Sequence, residues 1–395
     1  MADTDLIIEI GAYQLNKHGK VVCGDTFLSK KVAGENRYVA VLSDGLGSGI
    51  KASVLSSLTA SMALNFRLHH EPIVNAAKWV MDTLPIDSIR GISYSTFTIV
   101  DVDFEGDTTV IEYGNPSFFI DRNGSIVNPE RTTMQLNQSG KLKELEVSTF
   151  NLLENDRLVV VSDGITQSGI GNANMPFGWG SKNLQQFVTD KNVSQQLISA
   201  SELAMLIVKK ASKNDIYQLK DDASCAVFYR RQPRQLLVCS GPPFTPSKDK
   251  YLAKAVSGFK GNKILCGGTT AKIISRELQK EIVPEPIDKM SHGLPPAFTM
   301  QGIDLVTEGI LTLEKVLEML KKIQNQEIPW MGPAADIVRY LMNADVIHFL
   351  VGTCVNMAHQ DPNLPVELEI RRNVIKRIIR ILEEKYLKQV NVQYI

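Results

Sequence analysis

Through the first 230 residues, short runs of β-branched and aromatic residues are each stopped by Gly, Asn or Asp. The runs at 5–14, 38–42, 95–103, 108–113, 117–121, 158–161 and 224–229 read as strands. Glu105-Gly106-Asp107 and Arg122-Asn123-Gly124 read as hairpin connections. Apolar residues at helical spacing appear at 50–69, 71–83, 183–189 and 201–213. Adjacent hairpins with separate helices predict antiparallel sheets packed with helices, an α+β arrangement. The texture then changes. Short apolar strands at 236–238, 263–265, 302–306 and 346–351 alternate with helical stretches at 249–257, 270–280, 313–325 and 333–343. That alternation predicts a smaller α/β domain with a mainly parallel sheet, closed by a last amphipathic helix over 366–388. The run RRQPR at 230–234 separates the two textures and marks the boundary between domains 1–232 and 233–395.

Composition narrows the class without naming it. A chain of 395 residues exceeds what one core usually serves. Lys plus Arg and Asp plus Glu balance at 43 each, which gives no ground for a nucleic-acid or membrane surface. The start, MADTDLIIEIG, lacks a basic leader, and no apolar run reaches spanning length. Five cysteines without close spacing suit reduced thiols in a cytoplasmic protein.

The stretch RYVAVLSDGLGSGIKAS at 37–53 has the strand, glycine turn and helix of a phosphate cradle. Its glycine spacing is not that of a dinucleotide site, and no strand ending in an acid follows at the required distance. The Walker pattern fails too, because Lys51 follows Ile50 and Ala52 stands where Ser or Thr is needed. Asp44 would repel a pyrophosphate but would suit a hard cation. Acids recur in the same context: Asp25 after Cys23-Gly24, Asp163 after 158–161, and Asp221-Asp222 before 224–229. A single Asp-Gly is usually a turn; several acids at strand ends, far apart in sequence, point to one site gathered by the fold.

In order, GDTF, VLSDGLGSGIKAS, STFTIVDVD, IEYGNPSFFI, ENDRLVVVSDGIT and DDASCAVF carry a resemblance. Residues 16–230 resemble the type-2C metal-dependent Ser/Thr protein phosphatases, most closely the bacterial branch typified by sporulation stage II protein E. The resemblance implies two antiparallel sheets flanked by helices, with two Mn²⁺ or Mg²⁺ ions in the cleft between them. It implies Asp25 and Asp44 as the catalytic carboxylates shared by both metals, and Gly45 as a carbonyl ligand. Asp163 and Asp221 would complete the other metal's shell, with Asp222 as the neighbouring candidate. It further implies a phosphoserine or phosphothreonine protein as substrate, an anti-anti-sigma-like factor by analogy. Two features depart from relatives elsewhere in the class. Leu46 stands where some carry a His, and Lys17, His18 and Lys20 lie where others use an Arg to clamp phosphate.

The second domain lies outside that resemblance. Its strands run into Cys239-Ser240-Gly241, Cys266-Gly267-Gly268-Thr269-Thr270, Thr307-Glu308-Gly309 and Gly352-Thr353-Cys354. Ligands of open α/β sheets sit beyond the carboxyl ends of strands, and a threonine there can cap an anion-binding helix. Gly267, Gly268, Thr269 and Thr270 are therefore candidates for a small-ligand pocket that regulates the first domain. Cys239, Cys266 and Cys354 are candidates for a redox or metal cluster, against the ordinary reading as buried apolar thiols. Two rival functions stay open: a scaffold with vestigial turnover, and a hydrolase of a small phosphoester or nucleotide. A homodimer is also left open.

Overall fold

The chain divides into two units, Met1–Gln232 and Pro233–Ile395. The computed structural model describes residues 6–32, 35–69, 71–83, 95–138, 141–173, 175–195, 197–285, 295–323, 331–354, 366–386 and 388–395. The sequence also offers the polar segment 359–363 as a loop for a partner contact, and that segment lies outside the described residues.

In the first unit the strands are β1 (Ile7–Leu15), β2 (Asp25–Lys31), β3 (Arg37–Gly45), β4 (Ser95–Asp103), β5 (Asp107–Tyr113) and β6 (Phe119–Arg122). They continue as β7 (Ser125–Val127), β8 (Thr132–Gln138), β9 (Lys141–Asn151), β10 (Arg157–Val161) and β11 (Ala223–Arg231). One sheet has the order β1-β11-β10-β6-β7 and the other β2-β3-β4-β5-β9-β8, with antiparallel pairing throughout. The turn between β6 and β7 places Asn123 at φ 51° and Gly124 at φ 83°, which suits a tight hairpin.

Alternation along the strands builds the layers. Ala40 and Leu42 of β3, Val100 and Val102 of β4, Leu158 and Val160 of β10, and Ala226 and Phe228 of β11 form one buried cluster between the sheets. The intervening residues serve the outer faces. Val159, Val161, Cys225 and Val227 pack with helices Gly180–Ser194 and Ala200–Asn214. Val41, Phe97 and Ile99 pack with helices Ile50–Leu68 and Ile73–Thr83. Strands covered on both faces need near-continuous apolar runs, and RLVVV and SCAVFY are such runs. The result is a helix–sheet–sheet–helix sandwich.

The second unit carries β12 (Gln235–Ser240), β13 (Asn262–Cys266), β14 (Ile282–Pro284), β15 (Phe298–Met300), β16 (Ile303–Thr307), β17 (Val346–Val351) and β18 (Gln389–Tyr394). Their order is β14-β15-β16-β13-β12-β17-β18. The five strands from β16 to β18 run parallel, and β14 and β15 add an antiparallel edge. Helices Asp249–Gly258 and Gly268–Leu278 cover one face. Helices Ile310–Lys322, Pro333–Asn343 and Val366–Glu384 cover the other.

One expectation is corrected at the end of the chain. The last helix stops at Glu384, and β18 follows, paired along its length with β17. QVNVQY is too polar to announce a strand, but an edge position lets it bury little. Among the described residues no helix is long and apolar enough to cross a membrane.

Candidate metal centre

The acids singled out in the first unit come from both sheets. Asp25 opens β2 and pairs directly with Asp44 near the end of β3. Asp163 follows β10 and heads the short helix Asp163–Thr166. Asp221 and Asp222 immediately precede β11. The glycines beside these acids permit the close approach. A Cβ on Gly45 would lie 2.1 Å from the Ala52 carbonyl oxygen, and one on Gly164 would lie 2.1 Å from that of Asp222. Only a residue without a side chain lets those backbones meet.

Hydrogen bonds fix some carboxylate oxygens and leave others bare. Ser224 Oγ donates to Asp25 Oδ2 at 2.6 Å, and Gln14 Nε2 in turn donates to Ser224 Oγ at 2.9 Å. The Ser224 amide donates to Ser162 Oγ at 3.0 Å, which ties β11 to the residue before Asp163. Gln167 Nε2 donates to Asp163 Oδ2 at 2.9 Å. The Lys17 amide donates to Asp222 Oδ1 at 2.9 Å, and Lys17 Nζ stands 4.0 Å from Asp221 Oδ1. Ser95 Oγ donates to the Asp44 carbonyl at 2.8 Å. Asn115, from the GNP motif, accepts from Thr96 Oγ1 at 2.5 Å and donates to Thr98 Oγ1 at 3.1 Å, bracing β4 beside the site.

Asp25 Oδ1, Asp163 Oδ1 and Asp222 Oδ2 are buried with no hydrogen-bond partner. Burial raises the Asp44 carboxyl far above the usual range, and the charges of Asp25, Asp163 and Asp221 raise it further. Burial likewise raises Asp25, Asp163 and Asp221, against the hydrogen bonds that Ser224 and Ser162 give Asp25. Acids that disfavour one another's charge, with bare buried oxygens, fit a hard divalent cation, which reverses that balance. Among the described residues no three His, Cys, Asp or Glu side chains are drawn tightly enough to grip an ion as they stand. The donor set is gathered, but not closed.

Ser224, Ser162 and Gln14 are the residues that sequence reasoning missed. Ser224 and Ser162 had one signal, adjacency, since Ser224 follows Asp222-Ala223 and Ser162 precedes Asp163, whereas Gln14 had none. Lys17 and Lys20 reach the rim, Lys17 at Asp221 and Lys20 with its Cδ 3.9 Å from where a Gly49 side chain would begin. The helix after the glycine turn differs from the buried helix its apolar sequence suggests. Small residues face inward at Ala52, Ser56, Ala60 and Ala63, while Ile50, Val54 and Leu58 are exposed.

In the second unit, Cys266, Gly267, Gly268, Thr269 and Thr270 line one cavity at the carboxyl end of the parallel strands, whereas Cys239 and Cys354 do not. Burial pushes the Cys266 thiol up to about 12 and the Cys239 thiol higher, so both stay protonated. That burial matches the ordinary reading of Cys239 and Cys266 as small apolar side chains.

A sandwich of two antiparallel sheets between helices, with acids from both sheets at one site, defines a type-2C phosphatase domain. Residues 34–231 match the family described as Stage II sporulation protein E (SpoIIE). Phosphoserine phosphatase RsbX of Bacillus subtilis (strain 168) is 28% identical over 161 residues, covering 40% of this chain and 75% of RsbX. Stage II sporulation protein E of the same organism is 22% identical over 224 residues, covering 56% of this chain and 25% of that protein. A crystal structure of RsbX in complex with magnesium aligns with a TM-score of 0.41 at 20% identity, over 56% of this chain and 95% of the other. The chain belongs to the stage II sporulation protein E family.

Proposed function

We propose that the first unit is a divalent-metal-dependent phosphatase acting on phosphoserine or phosphothreonine of a small cytoplasmic regulatory protein, one of the anti-anti-sigma kind. The observation that carries this reading is the set of bare, buried oxygens on Asp25, Asp163 and Asp222 around the strongly raised Asp44. Asp25, Asp44, Asp163 and Asp221, with Asp222 and the Gly45 carbonyl, would hold two Mn²⁺ or Mg²⁺ ions. Such ions supply Lewis acidity toward a phosphoryl oxygen and make water a nucleophile near neutral pH.

The chain's own residues do the positioning. Ser224 and Gln14 hold Asp25 in one orientation, and Gln167 holds Asp163. Lys17, with a side chain about one-third exposed beside Asp221, offers a positive charge where a phosphoryl group would arrive. Leu46 follows Gly45, so no imidazole stands at that position to protonate a leaving group. The second unit is the proposed regulator of this activity.

The test is Mn²⁺-dependent hydrolysis of para-nitrophenyl phosphate and of a phosphoserine peptide, wild type against Asp44→Asn. Wild-type turnover that needs the metal and falls at least about a thousandfold in the variant supports the reading. A folded, metal-replete wild type inactive on both substrates would sink it.

A further inference from the structure

Strands β12, β13 and β16 end side by side, and beyond their carboxyl ends lies a cavity of about 420 Å³. Two helices begin on its wall, Gly268–Leu278 after β13 and Ile310–Lys322 after β16. Each has a glycine at its N-cap, Gly267 and Gly309, and neither receives a side-chain cap. The first turn of a helix leaves amide hydrogens without intrahelical partners, at the positive end of the dipole. Here two such ends share one cavity.

The side chains add an independent sign. Thr270, fully buried in the first turn of its helix, has a hydroxyl with no partner although the residue lines the cavity. That oxygen lies 3.5 Å from where a Cβ on Gly267 would stand, so it faces the glycine turn. Thr312, in the first turn of the second helix, is also fully buried with an unpartnered hydroxyl. Buried hydroxyls are ordinarily bonded, and the Thr270 hydroxyl, left bare on the cavity wall, marks a place for a ligand's acceptor. Lys272 and Arg371 bring positive charge to the wall. The Arg371 guanidinium passes where Gly241 has no side chain, with Nη1 2.6 Å from the position of a Cβ there. The wall also carries one acid, Glu308, whose Oε1 lies 3.7 Å from the position of a Gly268 Cβ. An anion without a hydrogen-bond donor gains nothing from that carboxylate. A ligand carrying hydroxyls beside its anionic group satisfies both.

We propose that this cavity binds a small phosphomonoester bearing free hydroxyls, with the phosphate between the two helix N-termini and Lys272 and Arg371, and a hydroxyl on Glu308. Sugar phosphates and nucleoside monophosphates share that chemistry, and the volume suits either. The inference deepens the regulatory role given above to the second unit, and it is tested without turnover so that it stands or falls apart from the phosphatase reading.

The experiment is calorimetric titration of the full-length protein in EDTA, which keeps the acids of the first unit from recruiting phosphate through a metal. The probes are AMP, glucose 6-phosphate and inorganic phosphate, with adenosine, glucose and sodium chloride of matched ionic strength as controls. The expected result is one-to-one binding of at least one phosphomonoester, tighter than inorganic phosphate, with none from the controls. Lys272→Ala and Gly268→Ala should each weaken it at least tenfold; the latter should fold, because its new methyl meets nothing nearer than 3.7 Å. Thr270→Val should weaken binding while leaving the ligand-free melting temperature unchanged or higher, since it removes an unbonded hydroxyl. Binding that both Lys272→Ala and Gly268→Ala leave intact would overturn the site. No binding of any probe at 10 mM, or inorganic phosphate binding as tightly as both esters, would overturn the ligand class.

Discussion

Ser224 shows how much a single hydroxyl can decide. Its Oγ is the hydrogen-bond partner of Asp25 Oδ2, and it is itself held by Gln14. Partners that orient a ligating carboxylate typically contribute ten- to a hundredfold to metal affinity. Ser224→Ala is therefore expected to raise the Mn²⁺ concentration for half-maximal activity by about tenfold or more. A titration at saturating substrate would show it, and a variant with lower turnover but unshifted metal dependence would contradict the positioning role. Glu112 is a second buried acid, away from the centre. Burial raises it from 4.5 to about 7, against the hydrogen bond from the Phe118 amide and the charge of Arg131. The folded chain thus retains a proton that the unfolded chain releases over that interval. Its contribution to stability is complete below about pH 4.5 and is lost as the pH rises through about 7. Glu112→Gln keeps an acceptor for Phe118 without the charge, so melting temperature should fall less between pH 5 and 8 than in wild type.

At the level of elements, what the sequence discloses depends on how local the cause is. The strands β3, β4, β10 and β11 are buried on both faces, so their own residues announce them. β8 and β9 do not: TTMQLNQ and KLKELEVSTFN mix polar residues with helix formers, and they become strands through pairing with each other and with β5. β18 likewise follows from a neighbour, β17. The acids could be nominated from their strand-end setting, whereas the hydroxyls that hold them required partners some 200 residues away to be placed. The turns joining strands to acids carry a sharp prediction. Gly164→Ala would set a methyl group against the Asp222 carbonyl oxygen, 2.1 Å away, where the neighbour is backbone and cannot step aside. Overpacking of this kind costs about 1–3 kcal/mol or more, and chemical denaturation should report a loss of that size. An unchanged midpoint would mean that the two strand ends are less tightly apposed.

For the whole molecule, the decisive fact is that each unit has its own hydrophobic core, with separate buried clusters before and after Gln232. Two cores need not melt as one. Scanning calorimetry is expected to resolve two transitions, with Mn²⁺ raising the one that belongs to Met1–Gln232 and leaving the other in place. A single transition shifted as a whole would show that the units unfold together. The pairing of β1 with β11 matters in a different way when the chain is being made. Ile7 faces Arg231 and Leu15 faces Ala223, so β1 lacks its partner until more than 200 further residues have been added. At about 5–20 residues per second, that wait is roughly 10–40 seconds on the ribosome. Asp25 must wait as well, because the serine that orients it arrives with β11. On the proposed reading, a nascent chain presents no finished centre until almost all of the first unit has been translated, so activity would switch on late in its own synthesis.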